Sequence, residues 1–230
     1  MQFNFSVVLA GEYPIGLLKG LWLTLQLSVA AWSLGFFLAI LLAGIRSTPF
    51  KPLQWLVATY VEYQRNVPLL VHILFWYFGV PELLPQEARD WLIAHNMEFL
   101  SAMMALGLCA AAYMSEDLRS GIRAIPSSQI EAARALGLSY LKTMRLVVMP
   151  QAIRASIPPL VSQALLLFKN SSLAMAIGLA ELMYKTREIE NDTFRTFEIY
   201  AICTLIYLSV SFGIMAFGQR IERRLRRRGG

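Results

Sequence analysis

The sequence predicts an all-α membrane protein with about five transmembrane helices, and three observations support this fold class. The 230-residue chain is 57% hydrophobic and only 16% charged, with a mean hydropathy of +0.51, which is more apolar than an ordinary soluble domain. Five apolar windows reach the roughly 20 residues that a helix needs to cross a bilayer. Most basic residues lie beside these windows. We therefore expect residues 1–230 to form a single transmembrane domain.

The five predicted spans are separated by polar connections of very different length. They cover approximately residues 20–45, 54–80, 99–117, 156–180 and 199–219. Arg65 and Asn66 interrupt the second window, and Lys169 and Asn170 interrupt the fourth. Such polar residues at membrane depth are costly, so we expect them to face a cavity or a partner chain.

The distribution of Lys and Arg predicts the orientation of the spans. If the N-terminus lies outside, fourteen of the 21 basic residues fall on the inner side, which favours an N-out, C-in arrangement and an odd number of spans. The basic tail, "QRIERRLRRR", then lies beside the cytoplasmic leaflet. There it either contacts anionic membrane lipid or serves only as a topology signal.

Several other classes of function are not indicated. The net charge of +6 could favour nucleic acid, but the aromatic residues lie in the spans and form no basic groove, so we expect no nucleic-acid partner. Cys109 and Cys203 have no second ligand at a spacing that would favour a metal site, and no disulfide is indicated. His72 and His95 have no nucleophile or acid at a catalytic spacing, so we expect no catalytic residues.

The longest inner connection, residues 118–155, has the pattern of two short helices. Ser127 or Ser128 could cap the first helix, with Glu131 completing a capping box. Gly137 then predicts a stop or bend. The second helix is predicted to start after Ser139 and to end at Pro150.

The composition of the second predicted helix leaves two interpretations open. Leu141, Met144 and Val148 are predicted to share one face, with basic residues nearby. The pair of helices could form a rigid elbow that receives force from a soluble partner, or an amphipathic hairpin that lies on lipid.

The succession of Glu131, Ala132 and Ala133, then Gly137, then Pro150 resembles the EAA loop of permease subunits in bacterial ABC importers. Val147 and Met149 stand where the family pattern has Ile and Leu. The resemblance continues through residues 65–85, 111–126 and 150–182 and covers nearly the whole chain. It is strongest to the polar amino-acid branch, and within it to glutamate/aspartate importers.

This resemblance implies the type I ABC importer permease fold, in the bacterial inner membrane, and a role in coupling for Glu131, Ala132, Ala133, Gly137 and Pro150. The chain contains no G-x-x-x-x-G-K-[ST] motif, so ATP and Mg²⁺ are expected on a partner ATPase dimer and no cofactor on this chain. The other implied partners are a sister permease, in a homodimer or heterodimer, and an extracytoplasmic amino-acid-binding protein.

Polar residues in the spans indicate a candidate substrate pathway. They are Arg65, Asn66, Glu116, Lys169, Asn170, Ser171 and Ser172. Cations and amides at membrane depth favour a substrate that carries carboxylates.

Other roles for the charged residues of this set stay open. Glu62 could neutralise Arg65, and Lys169 could pair with Glu116 or with a partner subunit. A secondary transporter or channel that uses these charges is the alternative function. Family members often have Lys-Asp-Thr-Ser-Leu where this chain has Lys-Asn-Ser-Ser-Leu from Lys169, and the change removes an acid.

Overall fold

A computed structural model describes residues 3–227, with side chains through residue 225, and no β-strand occurs in this range. The α-helices are α1 (Phe5–Val8), α2 (Tyr13–Arg46), α3 (Lys51–Asn66), α4 (Leu69–Leu74), α5 (Gln86–Ala94), α6 (Met97–Arg123), α7 (Ser127–Ala135), α8 (Tyr140–Thr143), α9 (Met149–Asn170), α10 (Leu182–Thr193) and α11 (Thr196–Arg227). Turns of π-helix occur at Phe75–Gly79 and Met144–Val148, and turns of 3₁₀-helix at Val80–Leu83 and Ser171–Ile177. The predicted all-α class is confirmed. Arg228, in the predicted basic tail, lies outside the described residues.

Three of the predicted spans are confirmed as long helices that extend past the predicted limits. They are α2, α6 and α11. Each helix continues beyond its apolar window because backbone hydrogen bonding does not end at the first charged residue. Arg46 and Arg123 occupy the last turns of α2 and α6, where a long basic side chain can reach water.

The second predicted span is broken, so its prediction as one helix over residues 54–80 is wrong. Lys51–Asn66 and Leu69–Leu83 meet at an angle of 105°. Pro68 causes the break because it has no N–H to donate, and its ring forces the preceding residue out of the helical region. Val67 accordingly has an extended backbone, with φ −96° and ψ 133°.

The fourth span is a continuous helix from Tyr140 to Ile177, so the prediction that Pro150 ends a helix is also wrong. The π-helical turn at Met144–Val148 lies immediately before the proline and contains one residue more than an α-helical turn. Pro150 therefore occupies the first turn of α9, where a missing N–H costs little. Residues 124–139 alone separate α6 from this helix, so the helical spans extend into the predicted 118–155 connection.

The core of the bundle is the contact between α2 and α6, which is the most extensive helix–helix contact among the described residues. Small residues line it, including Ala31, Ala105 and Ala111, all of which are fully or almost fully buried. A Cβ placed on Gly35 would lie 2.9 Å from the carbonyl oxygen of Gly107. The two backbones therefore approach each other as closely as small-residue motifs allow between membrane helices.

We expect Gly35→Val to destabilise the protein by about 1–3 kcal/mol, because the added side chain would overpack the α2–α6 contact. Gly44→Val is the matched control, since Gly44 lies in the same helix and a Cβ there meets nothing within 4 Å. Thermal unfolding of the detergent-purified variants would measure the difference. Equal melting temperatures for the two variants would contradict this account of the core.

Candidate functional site

The break in the second span opens a cleft of about 320 Å³. Its described lining residues come from the end of α3, the start of α4, and the facing sides of α6 and α9. They are Gln64, Arg65, Asn66, Val67, Pro68, Leu69, Cys109, Tyr113, Leu166 and Asn170. The cleft therefore brings together three of the polar residues that the sequence analysis grouped from separate spans.

The backbone carbonyl of Gln64 shows how the break is accommodated. In an uninterrupted helix this oxygen would accept a hydrogen bond from residue 68, but Pro68 has no N–H to donate. The Cys109 thiol on α6 lies 3.8 Å from it and supplies a weak donor. A cysteine that showed no chemical signal in the sequence thus partly satisfies the freed backbone group at the cleft wall.

Arg65 lies at the cleft with its guanidinium over the ring of Tyr113, 5.3 Å from the ring centroid. This is a cation–π distance, and the contact holds the cation without neutralising it. The predicted partner, Glu62, instead accepts a hydrogen bond of 3.0 Å from Asn66 Nδ2. Since no ion pair between Glu62 and Arg65 forms among the described side chains, the predicted pairing is wrong.

The polar residues at the end of α9 divide into two groups. Asn170 lines the cleft, whereas Lys169 is exposed and does not. Ser171 donates to the carbonyl oxygen of Phe168 at 2.7 Å, and Ser172 donates to that of Lys169 at 2.8 Å. Both hydroxyls therefore stabilise the turn that ends α9.

Glu116 lies in an ion-pair network, and the predicted pair with Lys169 is not formed. Its carboxylate contacts the guanidinium of Arg46 on α2 and lies 3.6 Å from that of Arg119, one turn further along α6. The neighbouring Asp117 accepts a 3.1 Å hydrogen bond from Gln163 on α9. These contacts join α2, α6 and α9 at one end of the bundle.

The second feature of interest is residues 126–148, which we call the elbow. Its first helix, α7, begins at Ser127, and Pro126 occupies the N-cap position without a side-chain capping bond. The predicted capping box of Ser128 and Glu131 is therefore wrong. Pro126 holds the extended entry to the helix, with φ −58° and ψ 141°, which places both serines inside the first turn.

Gly137 ends α7, as predicted, in the left-handed conformation with φ +77°. The N–H of Gly137 bonds the carbonyl of Arg134 at 2.9 Å, and the N–H of Leu138 bonds that of Ala133 at 3.1 Å. These two bonds define a Schellman motif, in which glycine is favoured because a Cβ would be strained.

The elbow packs on itself through Ala133, which is only 4% exposed because α7 lies against residues 140–148. Glu131 and Ala132 are exposed. The face predicted for the second helix is not formed, since Leu141 is 77% exposed while Val148 is buried. The π-helical turn between them adds one residue and rotates the following side chains around the helix.

The family of the chain is decided by its match to known sequences. A family model described as "Binding-protein-dependent transport system inner membrane component" matches residues 35–227. The chain belongs to this family. The predicted resemblance is thus confirmed for most of the sequence.

The relatives of this permease include proteins named for different amino acids. It is 35% identical over 212 residues to the glutamate/aspartate import permease protein GltJ of Escherichia coli K12, with 90% of this chain and 86% of GltJ covered. It is also 35% identical over 223 residues to the probable glutamine ABC transporter permease protein GlnM of Bacillus subtilis, covering 96% and 94% of the two chains.

The fold of the permease matches that of a solved amino-acid transporter. A crystal structure of an amino acid ABC transporter with histidines superposes with a TM-score of 0.84 at 30% identity, covering 97% of this chain and 100% of the other. The chain therefore has the type I ABC importer permease fold. It is a non-catalytic inner-membrane subunit of an amino-acid ABC importer, in which the ATPase is a separate chain.

Proposed function

We propose that this permease imports acidic amino acids, glutamate and aspartate, through the cleft at the broken second span. The observation that carries the proposal is that Arg65 is the only charged side chain among the described residues that line the cleft. A carboxylate in the cleft would meet a guanidinium that forms no direct ion pair among the described side chains, although Asp117 on α6 interacts with it electrostatically at longer range. Charge-assisted hydrogen bonds of this kind are about twice as strong as neutral ones.

The neighbouring amides support the same class of substrate. Asn66 and Asn170 line the cleft together with Arg65. The Asn170 amide can both donate to a carboxylate and accept from an ammonium group, whereas Asn66 offers only its Oδ1 as an acceptor, because its Nδ2 donates to Glu62. An amide at residue 170 adds no negative charge that would repel an anion. The similarity to GltJ agrees with acidic substrates, but GlnM is equally similar, and glutamine also carries an α-carboxylate. The preference for glutamate therefore rests on the positive charge of the cleft, which favours a substrate with a net negative charge over a zwitterion.

The elbow is proposed as the contact through which a partner ATPase dimer, which binds ATP and Mg²⁺, moves the spans. Its surface carries the exposed apolar side chains of Leu136 and Leu141, beside the exposed Glu131 and Ala132. Ala133 is buried within the chain, so its coupling role is indirect and consists of holding α7 against the second helix.

The proposed importer also includes a role for Pro150 and several partner chains. Pro150 lies at the start of α9, where the elbow joins the fourth span, so movement of the elbow passes through it. A second permease, identical or a sister chain, completes the pore, and an extracytoplasmic binding protein delivers the amino acid.

Competition in a transport assay tests the substrate directly. Proteoliposomes would contain this permease, its ATPase, any sister permease and the binding protein, and ATP-dependent uptake of labelled glutamate would be measured. We expect unlabelled aspartate to compete, and glutamine, histidine and arginine not to compete. Competition by glutamine or by the basic amino acids would refute the acidic assignment and leave the importer assignment intact.

Arg65→Gln should reduce glutamate uptake about 10- to 150-fold, because a hydrogen bond to a charged group contributes about 1.5–3 kcal/mol. Arg65→Lys should retain part of the activity because it keeps the positive charge. Lys169→Gln is the matched control, since it removes a cation one residue from Asn170 but outside the cleft. The prediction fails if Lys169→Gln impairs uptake as much as Arg65→Gln does at equal amounts of assembled complex.

Gly137→Val should abolish ATP-driven uptake and co-purification of the ATPase, because a β-branched residue is strained at φ +77°. Gly137→Asn should retain most of both activities, since asparagine tolerates the left-handed region. Membrane levels of the two variants, measured by immunoblot, control for folding. Equal activity of the valine and asparagine variants would show that the conformation of Gly137 is not needed for coupling.

A further inference from the structure

Glu181 is a fully buried carboxyl group that the transport pathway described above does not include. It lies in the connection between α9 and α10, at the N-cap of α10, and is 0% exposed. No basic side chain pairs with it among the described residues. A buried acid without a cation is costly unless hydrogen bonds satisfy it, so the groups around it indicate what it does.

The partners of Glu181 come from three helices. Oε1 accepts the N–H of Tyr184 on α10 at 2.9 Å. Oε2 lies 3.3 Å from the hydroxyl of Thr24 on α2 and 3.4 Å from that of Tyr207 on α11. The Thr24 hydroxyl in turn accepts the N–H of Leu182 at 3.0 Å. The carboxyl therefore ties the start of α10 to two spans at once.

The backbones at this point are also in close contact. A Cβ on Gly20 would lie 3.0 Å from the Cα of Leu182 and 3.1 Å from the carbonyl oxygen of Glu181. A glycine in α2 thus permits the α9–α10 connection to lie directly on the span. The hydrogen bonds and the steric fit together fix the position of the connection.

Tyr207 extends this contact toward the cleft. Its ring packs against that of Phe168, with centroids 5.4 Å apart, and Phe168 is almost fully buried two residues before Asn170. One phenol therefore contacts both Glu181 and the end of α9, two residues before the Asn170 that lines the cleft.

The Glu181 carboxyl depends on its hydrogen bonds because it is buried without a basic partner among the described residues. Burial raises the pKa of its carboxyl to about 7, against the lowering effect of its hydrogen bonds with backbone N–H groups, Thr24 and Tyr207. Near neutral pH the group carries either a proton or a buried charge that hydrogen bonds alone compensate. Removal of one hydrogen-bond donor should therefore leave the buried carboxyl incompletely satisfied, which costs more free energy than the same loss at an exposed site.

We propose that Glu181 and Tyr207 form a clamp that positions the Asn170–Ser172 turn at the cleft, with Glu181 acting as a positioning residue for transport. The clamp holds the outer end of the fourth span against α2 and α11 while substrate passes Asn170. The inference rests on the proposed function of the cleft as the substrate pathway.

The test compares Tyr207→Phe, Glu181→Gln and their double variant in the complete reconstituted importer. Tyr200→Phe is the matched control, because Tyr200 also lies on α11 and donates to a glutamate of α10, Glu190, at 2.8 Å, away from the α9 turn. Maximal uptake, ATP hydrolysis and the half-saturating concentration of substrate-loaded binding protein are measured on equal amounts of assembled complex, with whichever amino acid the wild-type importer carries.

The positioning role predicts that Tyr207→Phe lowers maximal uptake roughly fivefold, while ATP hydrolysis and half-saturation change less than about twofold. Glu181→Gln, which keeps the shape and one acceptor, should retain more uptake than Glu181→Leu. The double variant should be little worse than Tyr207→Phe alone, because both changes remove the same contact.

Three results would overturn the clamp. They are unchanged uptake in both single variants, a parallel loss of uptake and hydrolysis, and an effect of Tyr200→Phe equal to that of Tyr207→Phe. Because the assay uses the amino acid that the wild-type importer carries, refutation of acidic substrates leaves this test intact. If Arg65→Gln and Asn170→Leu leave uptake unchanged while Tyr207→Phe impairs it, the cleft assignment fails and the clamp positions a different pathway.

Discussion

The close approach of α2 and α6 is the contact on which the rest of the structure depends. In a bilayer, helices gain little from removing apolar surface from lipid, so their association relies on van der Waals contact and interhelical hydrogen bonds. Gly35 and Gly107 allow that contact at backbone distance. With α6 fixed in this way, Tyr113 and Cys109 form one wall of the cleft, and α9 packs on the neighbouring face of α6.

The interruptions of the helical spans occur where the protein can compensate for them. Non-helical backbone at membrane depth is tolerated only where it is buried in protein or lines a cavity. The break at Pro68 borders the cleft, and so does the change from α-helix to 3₁₀-helix after Asn170 in the fourth span. Polar backbone and polar side chains are therefore concentrated at one place, and the remaining surface of the spans can stay apolar.

The sequence predicted the spans better than their internal geometry. Hydropathy locates α2, α6 and α11 because it depends only on the amino-acid composition of each window. Gly137 was identified because its turn needs a residue without a Cβ. The effect of a proline was harder to predict, since Pro68 breaks a span whereas Pro150 does not. A π-helical turn precedes Pro150, and Pro158 and Pro159 are accommodated inside α9, arrangements for which a single sequence carries no reliable signal.

Side-chain partners were the least predictable part of the site. Arg65, Asn66 and Asn170 could be grouped because charged or amide groups in apolar windows must face something polar. Their individual contacts depend on helix rotation, so the two possible pairs within the chain, Glu62 with Arg65 and Lys169 with Glu116, do not form among the described side chains. Glu181 was missed because an acid at the end of an apolar run has the same sequence signal whether it is buried or exposed.

The continuity of the Tyr140–Ile177 helix has a mechanical consequence. Its 38 residues run without a loop from the elbow past the cleft, through a π-helical turn, Pro158 and Pro159 in α9, and a final 3₁₀ segment. Displacement at one end of this helix therefore reaches the other end with no intervening loop. A span that ended at Pro150 would instead have placed a non-helical connection between the elbow and the cleft.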